Sequence, residues 1–269
     1  MNKFFFIRGI YNKSFSKFLP GFIRKMMLKN NNITFIPTKL KILPNNNYPI
    51  EDTFKLQENL IKTYEDTEKI SFNSFLDLKK ILKERFDAKS SFNFLDYGGE
   101  KIDLYLHITK EFKNINYFLI NQPKINETLK LIKDKYGYKN LKVLNNTSEI
   151  KNYKYDFVFF GSTIQYLNDY NETLSFILPL TKKYILFSAT HFYTSDIFVK
   201  DIVVKQLNYL PKVYFFYFLN LNYVTNILKK YNFKEEFNIL NKSYLSSYST
   251  FEDLNLDNIK YTDLLFSKS

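Results

Sequence analysis

Between Ser91 and Ser188 short apolar runs alternate with helical patterns, and this alternation narrows the possible folds of the chain more than any other feature of it. Phe92–Tyr97 reads as a strand and Ile102–Phe112 as a helix; Tyr117–Asn121 and Ile125–Tyr136 repeat the pair. Leu141–Leu144 and Tyr155–Phe160 follow as strands, Asn171–Leu180 as a helix and Tyr184–Ser188 as a further strand. Strands separated by helical crossovers predict a mostly parallel sheet with right-handed connections and helices on both faces. Ligands of such sheets bind beyond the C-terminal strand ends. The residues to watch are therefore Asp96–Glu100, Asn121 and Gln122, Asn145 and Asn146, Gly161–Gln165, and Thr190 with His191.

The flanking segments are less regular. Glu51–Ile70 and Ser71–Phe86 read as helices covering one side of the sheet, the second with Phe75, Leu78, Ile81 and Leu82 inward. After His191, Asp196–Leu210 reads as a helix and Pro211–Leu219 as an aromatic-rich stretch. Leu221–Tyr231 is an amphipathic helix capped by Asn220, and Lys234–Leu240 and Tyr261–Ser267 are closing strands. Asn30–Pro49, with its asparagine runs and prolines, reads as a linker. Ahead of it Phe4, Ile7, Tyr11, Phe15, Phe18, Phe22 and Met26 share one helical face opposite Lys13, Lys17 and Arg24, interrupted at Pro20-Gly21. The expected organisation is a basic N-terminal arm and linker over 1–50 and an α/β domain over 51–269, with covering helices in 51–90.

Charge separates these two parts. The chain carries +12, yet residues 1–50 hold nine Lys/Arg and no Asp/Glu, leaving 39 − 9 = 30 basic against 27 acidic residues in the remainder. A near-neutral body argues against a nucleic-acid groove, and a basic arm fits an anionic surface. The arm lacks the run of about 18 apolar residues that spans a bilayer, so a peripheral membrane contact through residues 1–29 competes with docking of the arm on the protein's own core. With no cysteine and two histidines, disulfides, thiolate metal sites and His-rich metal sites are not expected.

The strand ends suggest a nucleoside ligand. Gly98-Gly99 permits close approach of backbone, Asn121 stands where a ribose partner is needed, and Asn145 or Asn146 where adenine would be recognised. Asn121 takes the place of the usual Asp or Glu and accepts with less strength than a charged group. Glu100 beside the turn would repel a pyrophosphate, which disfavours NAD and FAD. It is either a partner for an ammonium group or a solvated acid.

Residues from about 90 to 240 resemble a class I methyltransferase family associated with bacterial surface-polysaccharide gene clusters. The carrying segments are F-L-D-Y-G-G at Phe94–Gly99, F-F-G-S-T-I-Q-Y-L at Phe159–Leu167, Y-I-L-F-S-A-T-H-F at Tyr184–Phe192, and K-Q-L-N-Y-L-P at Lys205–Pro211. The resemblance implies a Rossmann-like class I methyltransferase fold of seven strands, the last antiparallel, with an N-terminal helical extension, and S-adenosylmethionine as cofactor. Asp96, Gly98, Gly99, Glu100, Asn121, Asn145, Asn146, Gly161 and Ser162 are the implied cofactor residues, and Gln165 and Tyr166 the substrate-shaping ones. His191, at the end of the fifth strand of the alternation, is the candidate base, since an unperturbed pKa of about 6.5 suits proton transfer; a hydrogen-bonded residue at the pocket edge is the alternative. His107, within a helix, reads as structural.

The resemblance further implies a bacterial, cytoplasmic enzyme methylating a sugar or sugar-nucleotide in surface-polysaccharide biosynthesis. Glu100 and Ile102 stand where the family has glycines, and Asn121 replaces its ribose acid. These departures keep a second reading open, a catalytically inactive binding or scaffold protein. RNA methylation, a third, fits the arm better than the body.

Overall fold

The computed structural model describes residues 34–44, 53–71, 75–194, 201–207, 213–240 and 259–269. The amphipathic pattern of residues 4–26 lies outside them. Strand β1 (Thr34–Pro37) comes first, inside the stretch expected to be a linker, and helices α1 (Thr53–Thr67) and α2 (Leu76–Arg85) follow. The alternation is then realised as β2 (Asn93–Tyr97), α3 (Ile102–Thr109), β3 (Asn116–Ile120), α4 (Pro123–Tyr136), β4 (Leu141–Val143), the single turn α5 (Thr147–Ile150), β5 (Tyr155–Gly161), α6 (Tyr170–Ile177) and β6 (Thr181–Tyr193). The chain continues through β7 (Ile202–Leu207), β8 (Val213–Asn220), α7 (Leu221–Lys230), β9 (Phe233–Leu240) and β10 (Lys260–Lys268).

The main sheet has the order β4-β3-β2-β5-β6-β10-β9. β4, β3, β2, β5 and β6 pair in parallel, and β10 runs antiparallel between β6 and β9. The reversal of strand order between β2 and β5 opens a crevice at their C-terminal ends, where the first glycine turn lies. Phe157, Val158, Phe159 and Phe160 of β5 are all buried, because a central parallel strand is covered on both faces. One face packs Phe94, Tyr117 and Phe159 under α1–α4; the other packs Leu95, Phe118 and Phe160 under α6 and α7.

Local signals set the helix ends. Pro123 opens α4 after the extended Gln122, and Gly137 closes it at φ 67°. Asn220 caps α7 by accepting from the Tyr223 N–H at 3.0 Å, while Val224 and Leu228 face the core.

The region expected to be helical over Asp196–Leu210 instead holds β7. Its I-V-V-K-Q-L run favours a strand, and the partner that fixes it, β8, lies across an antiparallel ladder from Ile202↔Phe218 to Leu207↔Val213. β1 adds to the outer side of β7 through Thr34↔Leu207 to Pro37↔Val204. β6 is longer than its sequence signal suggested, and its last residues, Phe192 and Tyr193, pair with Leu219 and Asn220 of β8. The three strands thus form a wing beyond the C-terminal edge of the main sheet, beside the crevice.

Candidate active site

The first glycine turn is compressed between two side chains. Gly98 has φ 86°, its N–H donates to the Ile120 carbonyl at 2.7 Å, and a Cβ there would lie 2.2 Å from Thr163 Cγ2. A Cβ on Gly99 would fall 2.3 Å from Asp96 Oδ2. Only glycines let the backbone descend this far. Asp96 is buried beneath the turn, accepts from the Tyr117 hydroxyl at 2.8 Å, and has its pKa pushed by burial to about 7. Gln57 of α1, also buried, clamps the far side: its Nε2 donates to the Glu100 carbonyl at 2.8 Å and its Oε1 accepts from the Ile102 N–H at 2.9 Å. That N–H is one of the groups a helix leaves unsatisfied at its start. Ile102 is itself fully buried, and the Glu100 side chain is exposed.

Asn121, the expected ribose partner, follows the end of β3. Its Nδ2 donates to both glycine carbonyls, Gly98 O and Gly99 O, each at 2.9 Å, and its Oδ1 accepts from the Gln122 N–H at 2.7 Å. The two carbonyl acceptors fix which end of the amide faces the turn. A carboxylate could make neither contact, so the amide is required by the backbone around it. Asn126 holds the same residue from behind, accepting from the Asn121 N–H at 2.7 Å and donating to its carbonyl at 2.8 Å. Asn145 and Asn146, the expected adenine partners, are exposed. The Asn145 side chain is bonded to Glu149 and Lys130, and Asn146 caps α5 by accepting from the Ser148 N–H at 3.0 Å.

At the ends of β5 and of the parallel stretch of β6 two non-glycine residues take left-handed backbone conformations. Ser162 has φ 54° and Ala189, next to the end of the parallel stretch of β6, φ 51°. Non-glycine residues in this region carry strain of order 1–3 kcal/mol that surrounding contacts must hold. The Ser162 N–H donates to Ser188 O at 2.8 Å, and Asp263 on β10 accepts from Ser188 Oγ at 2.8 Å and from the Ala189 N–H at 2.7 Å. Burial raises the pKa of Asp263. A Cβ on Gly161 would meet Phe159 at 2.6 Å and Phe75 at 2.7 Å, so the Phe75 ring closes over this strand end.

Gln165 and His191 form a pair on the wing side. Gln165 Oε1 accepts from the His191 backbone N–H at 2.9 Å and lies 3.0 Å from His191 Nδ1, while its Nε2 donates to Ser162 Oγ at 3.2 Å. Because that oxygen is held as an acceptor by a backbone N–H, the network assigns the ring proton to Nδ1. The imidazole is buried, stacks on Phe218 with centroids 5.0 Å apart, and meets Phe216 at 5.0 Å and Tyr261 at 4.6 Å. Burial lowers its pKa to about 3, so it is neutral at pH 7. Tyr166 packs on Phe216 at 5.6 Å. His107 lies on α3 with its ring edge-on to Tyr64, 6.1 Å between centroids, away from the crevice.

The structure thus brings Asp96, Gly98, Gly99 and Asn121 into one turn, joined by Thr163, and Ser162, Gln165 and His191 into a second group. Asn145 touches the first group through its carbonyl, 3.5 Å from Asn126 Nδ2, while the Asn145 and Asn146 side chains are engaged around α5. Gln57, Asn126, Tyr117 and Asp263 had no assigned role in the sequence, and Thr163 was marked there as part of the Gly161–Gln165 strand end. Gln57 shares a helix face with Ile61 and Tyr64, and a polar residue on an apolar stripe is a visible signal; so is an acid inside the closing strand at Asp263.

No protein-family model matches the chain, and no curated protein matches it at a significant level. Solved structures do match its fold. A protein assigned as a sarcosine dimethylglycine methyltransferase from Galdieria sulphuraria superimposes with a TM-score of 0.53 at 10% identity, over 81% of this chain and 99% of that one. The N-terminal domain of EvdMO1, crystallised with S-adenosylhomocysteine and D-fucose, gives 0.50 at 11% identity, over 81% and 97%. The fold is that of the S-adenosylmethionine-dependent methyltransferases. In the terms of that fold β2 is the first strand of the parallel half, Gly98-Gly99 the turn that follows it, and β10 the reversed strand of the sheet.

Proposed function

We propose that this chain is an S-adenosylmethionine-dependent methyltransferase acting on a sugar or sugar-nucleotide, in the setting of bacterial surface-polysaccharide assembly. The observation that carries the first part is the Gly98-Gly99 turn, lying over buried Asp96 at the point where the strand order reverses. The sugar rests on the resemblance and on D-fucose in one structural neighbour. The residues fit the cofactor at the turn, where Gly98, Gly99 and Asp96 would hold its cationic amino-acid end beside Glu100. At the ribose end Asn121 supplies an amide oxygen that already accepts one N–H. Asn145, Asn146, Gly161 and Ser162 complete the assigned cofactor side.

When bound, the cofactor supplies a methyl group on an already activated sulfonium. The protein's share is then to align the acceptor. Gln165 and Tyr166 shape that side, and the neutral His191, with its proton held on Nδ1 by Gln165, serves there in positioning more readily than as a base, because an imidazole of such low proton affinity is a weak one. Peripheral attachment at the inner face of a membrane, through residues 1–29, belongs to the same proposal.

One observation favours the second reading, a methyltransferase fold kept as a binding or scaffold protein: the Asn121 amide group is spent on the turn. Calorimetric titration with S-adenosylmethionine and S-adenosylhomocysteine separates the two. Saturable micromolar binding that Asp96→Ala abolishes supports the enzyme. Absence of heat and of thermal stabilisation at millimolar ligand refutes it and leaves the scaffold.

A further inference from the structure

Ile42 and Leu40 are 65% and 47% exposed, and Ile42 is the most exposed large apolar side chain among the described residues. They alternate with Lys39 and Lys41, which are exposed as well. A loop with this composition is commonly mobile, yet this one is tied down at both ends. The Thr38 N–H and Oγ1 both donate to Val203 O at 2.9 Å, and the Leu40 N–H donates to Thr38 Oγ1 at 3.2 Å. At the other end Leu43 is buried in the core, its N–H donates to Asn168 Oδ1 at 2.9 Å, and Asn168 Nδ2 returns a bond to Leu43 O at 3.1 Å. The anchored ends leave two aliphatic tips and two ammonium groups presented together to solvent.

We propose that Lys39–Ile42 is a docking loop for an anionic lipid bilayer. Insertion of the Leu40 and Ile42 tips removes apolar surface from water, and the flanking lysines meet the headgroup charge, as in interfacial anchors generally. The charge of the chain is complementary to that partner, since residues 1–50 carry nine Lys/Arg and no acid. Among the described residues no helix is long and apolar enough to cross a membrane. The loop runs from the outer edge of the wing to Asn168, two residues beyond Tyr166, and Asn168 also accepts from the Tyr217 hydroxyl at 2.8 Å. The loop is thus tied at its far end to the segment that follows Gln165 and Tyr166. The proposal goes beyond the methyltransferase reading and stands without it.

The test is co-sedimentation of the full chain with vesicles of phosphatidylcholine containing about one-third phosphatidylglycerol, against phosphatidylcholine alone. The expected result is binding to the anionic vesicles only, weakened at least tenfold by Leu40→Asp with Ile42→Asp, and about fivefold by each of Lys39→Ala and Lys41→Ala, as the loss of one lysine near an anionic surface implies. Thermal melting of each variant, matched to the parent, excludes unfolding, and Ile42→Ser serves if the aspartates destabilise the chain. Undiminished vesicle binding of the loop variants overturns the proposal and assigns any attachment to other residues. So does binding that depends on the lysines alone and is competed equally by RNA, which marks a general polyanion surface.

Discussion

Asn121→Asp sets two physical effects against each other. The substitution restores the carboxylate that a ribose partner normally carries, and a charged acceptor is roughly twice as strong as a neutral one. It also removes the only donors that Asn121 offers to Gly98 O and Gly99 O, at 2.9 Å each. Two neutral hydrogen bonds are worth about 1 kcal/mol apiece, and a carboxylate oxygen left facing two carbonyl oxygens adds repulsion to that loss. The destabilisation expected is about 2–4 kcal/mol, a fall in melting temperature of roughly 5–10 °C for a chain of this size. With the turn loosened, S-adenosylhomocysteine binding should weaken despite the added charge. Melting curves and calorimetry on Asn121→Asp and Asn121→Ala measure both effects, Ala losing the bonds without the repulsion and so falling between parent and Asp. An Asp variant that melts with the parent and binds the ligand more tightly would refute the argument, placing the glycine carbonyls away from residue 121.

Asp96 offers a pH test. Its folded pKa, about 7, lies above the ordinary aspartate value of 3.8, so the folded state favours the protonated acid: the penalty is absent below pH 3.8, grows as pH rises, and is complete above pH 7. At about 1.4 kcal/mol per unit the ceiling is about 4 kcal/mol. Asp96→Asn should therefore gain more stability over the parent at pH 8 than at pH 5, where under half of the penalty has developed, by thermal melting; parallel curves would sink the idea. Gly98→Ala forces a side chain to φ 86° and to within 2.2 Å of Thr163 Cγ2, and should cost at least 2 kcal/mol by chemical denaturation, part of which Thr163→Ala returns. Gln57→Ala leaves the Ile102 N–H and Glu100 carbonyl without their partner, at about 1–3 kcal/mol. Combined with Asn121→Ala it should give a loss that departs from the sum by 0.5 kcal/mol or more, since both side chains hold one turn.

The main sheet was legible because its signals are local. A parallel strand buried on both faces reads as a continuous apolar run, and β2, β3 and β5 lie where those runs placed them; the antiparallel β9 and β10 and the capping Asn220 also lie where expected. The wing was not. β1 is four residues long and among the described residues pairs with a strand about 170 positions away, and the apolar run of β7 reads equally well at helical spacing until β8 is beside it. For the site, the residue types at the strand ends could be read but not the direction of their hydrogen bonds. Asn121 was visible as a departure from an acid; that its amide points at the glycine carbonyls depends on how the turn presents them.

Glu100, Ile102 and Asn121 are physically linked. Ile102 is fully buried where a glycine would leave a gap, and its N–H is taken by Gln57. The same glutamine takes the Glu100 carbonyl, and Asn121 takes the two carbonyls before it. Four backbone polar groups at the mouth of the crevice are thus satisfied by two neutral amides from two different elements. Unconstrained loss of a binding turn would leave such groups to water, and a buried glutamine on an apolar helix face costs stability unless both of its ends are bonded. The turn is therefore held rigid by neutral side chains of the protein itself, whether or not a ligand is bound.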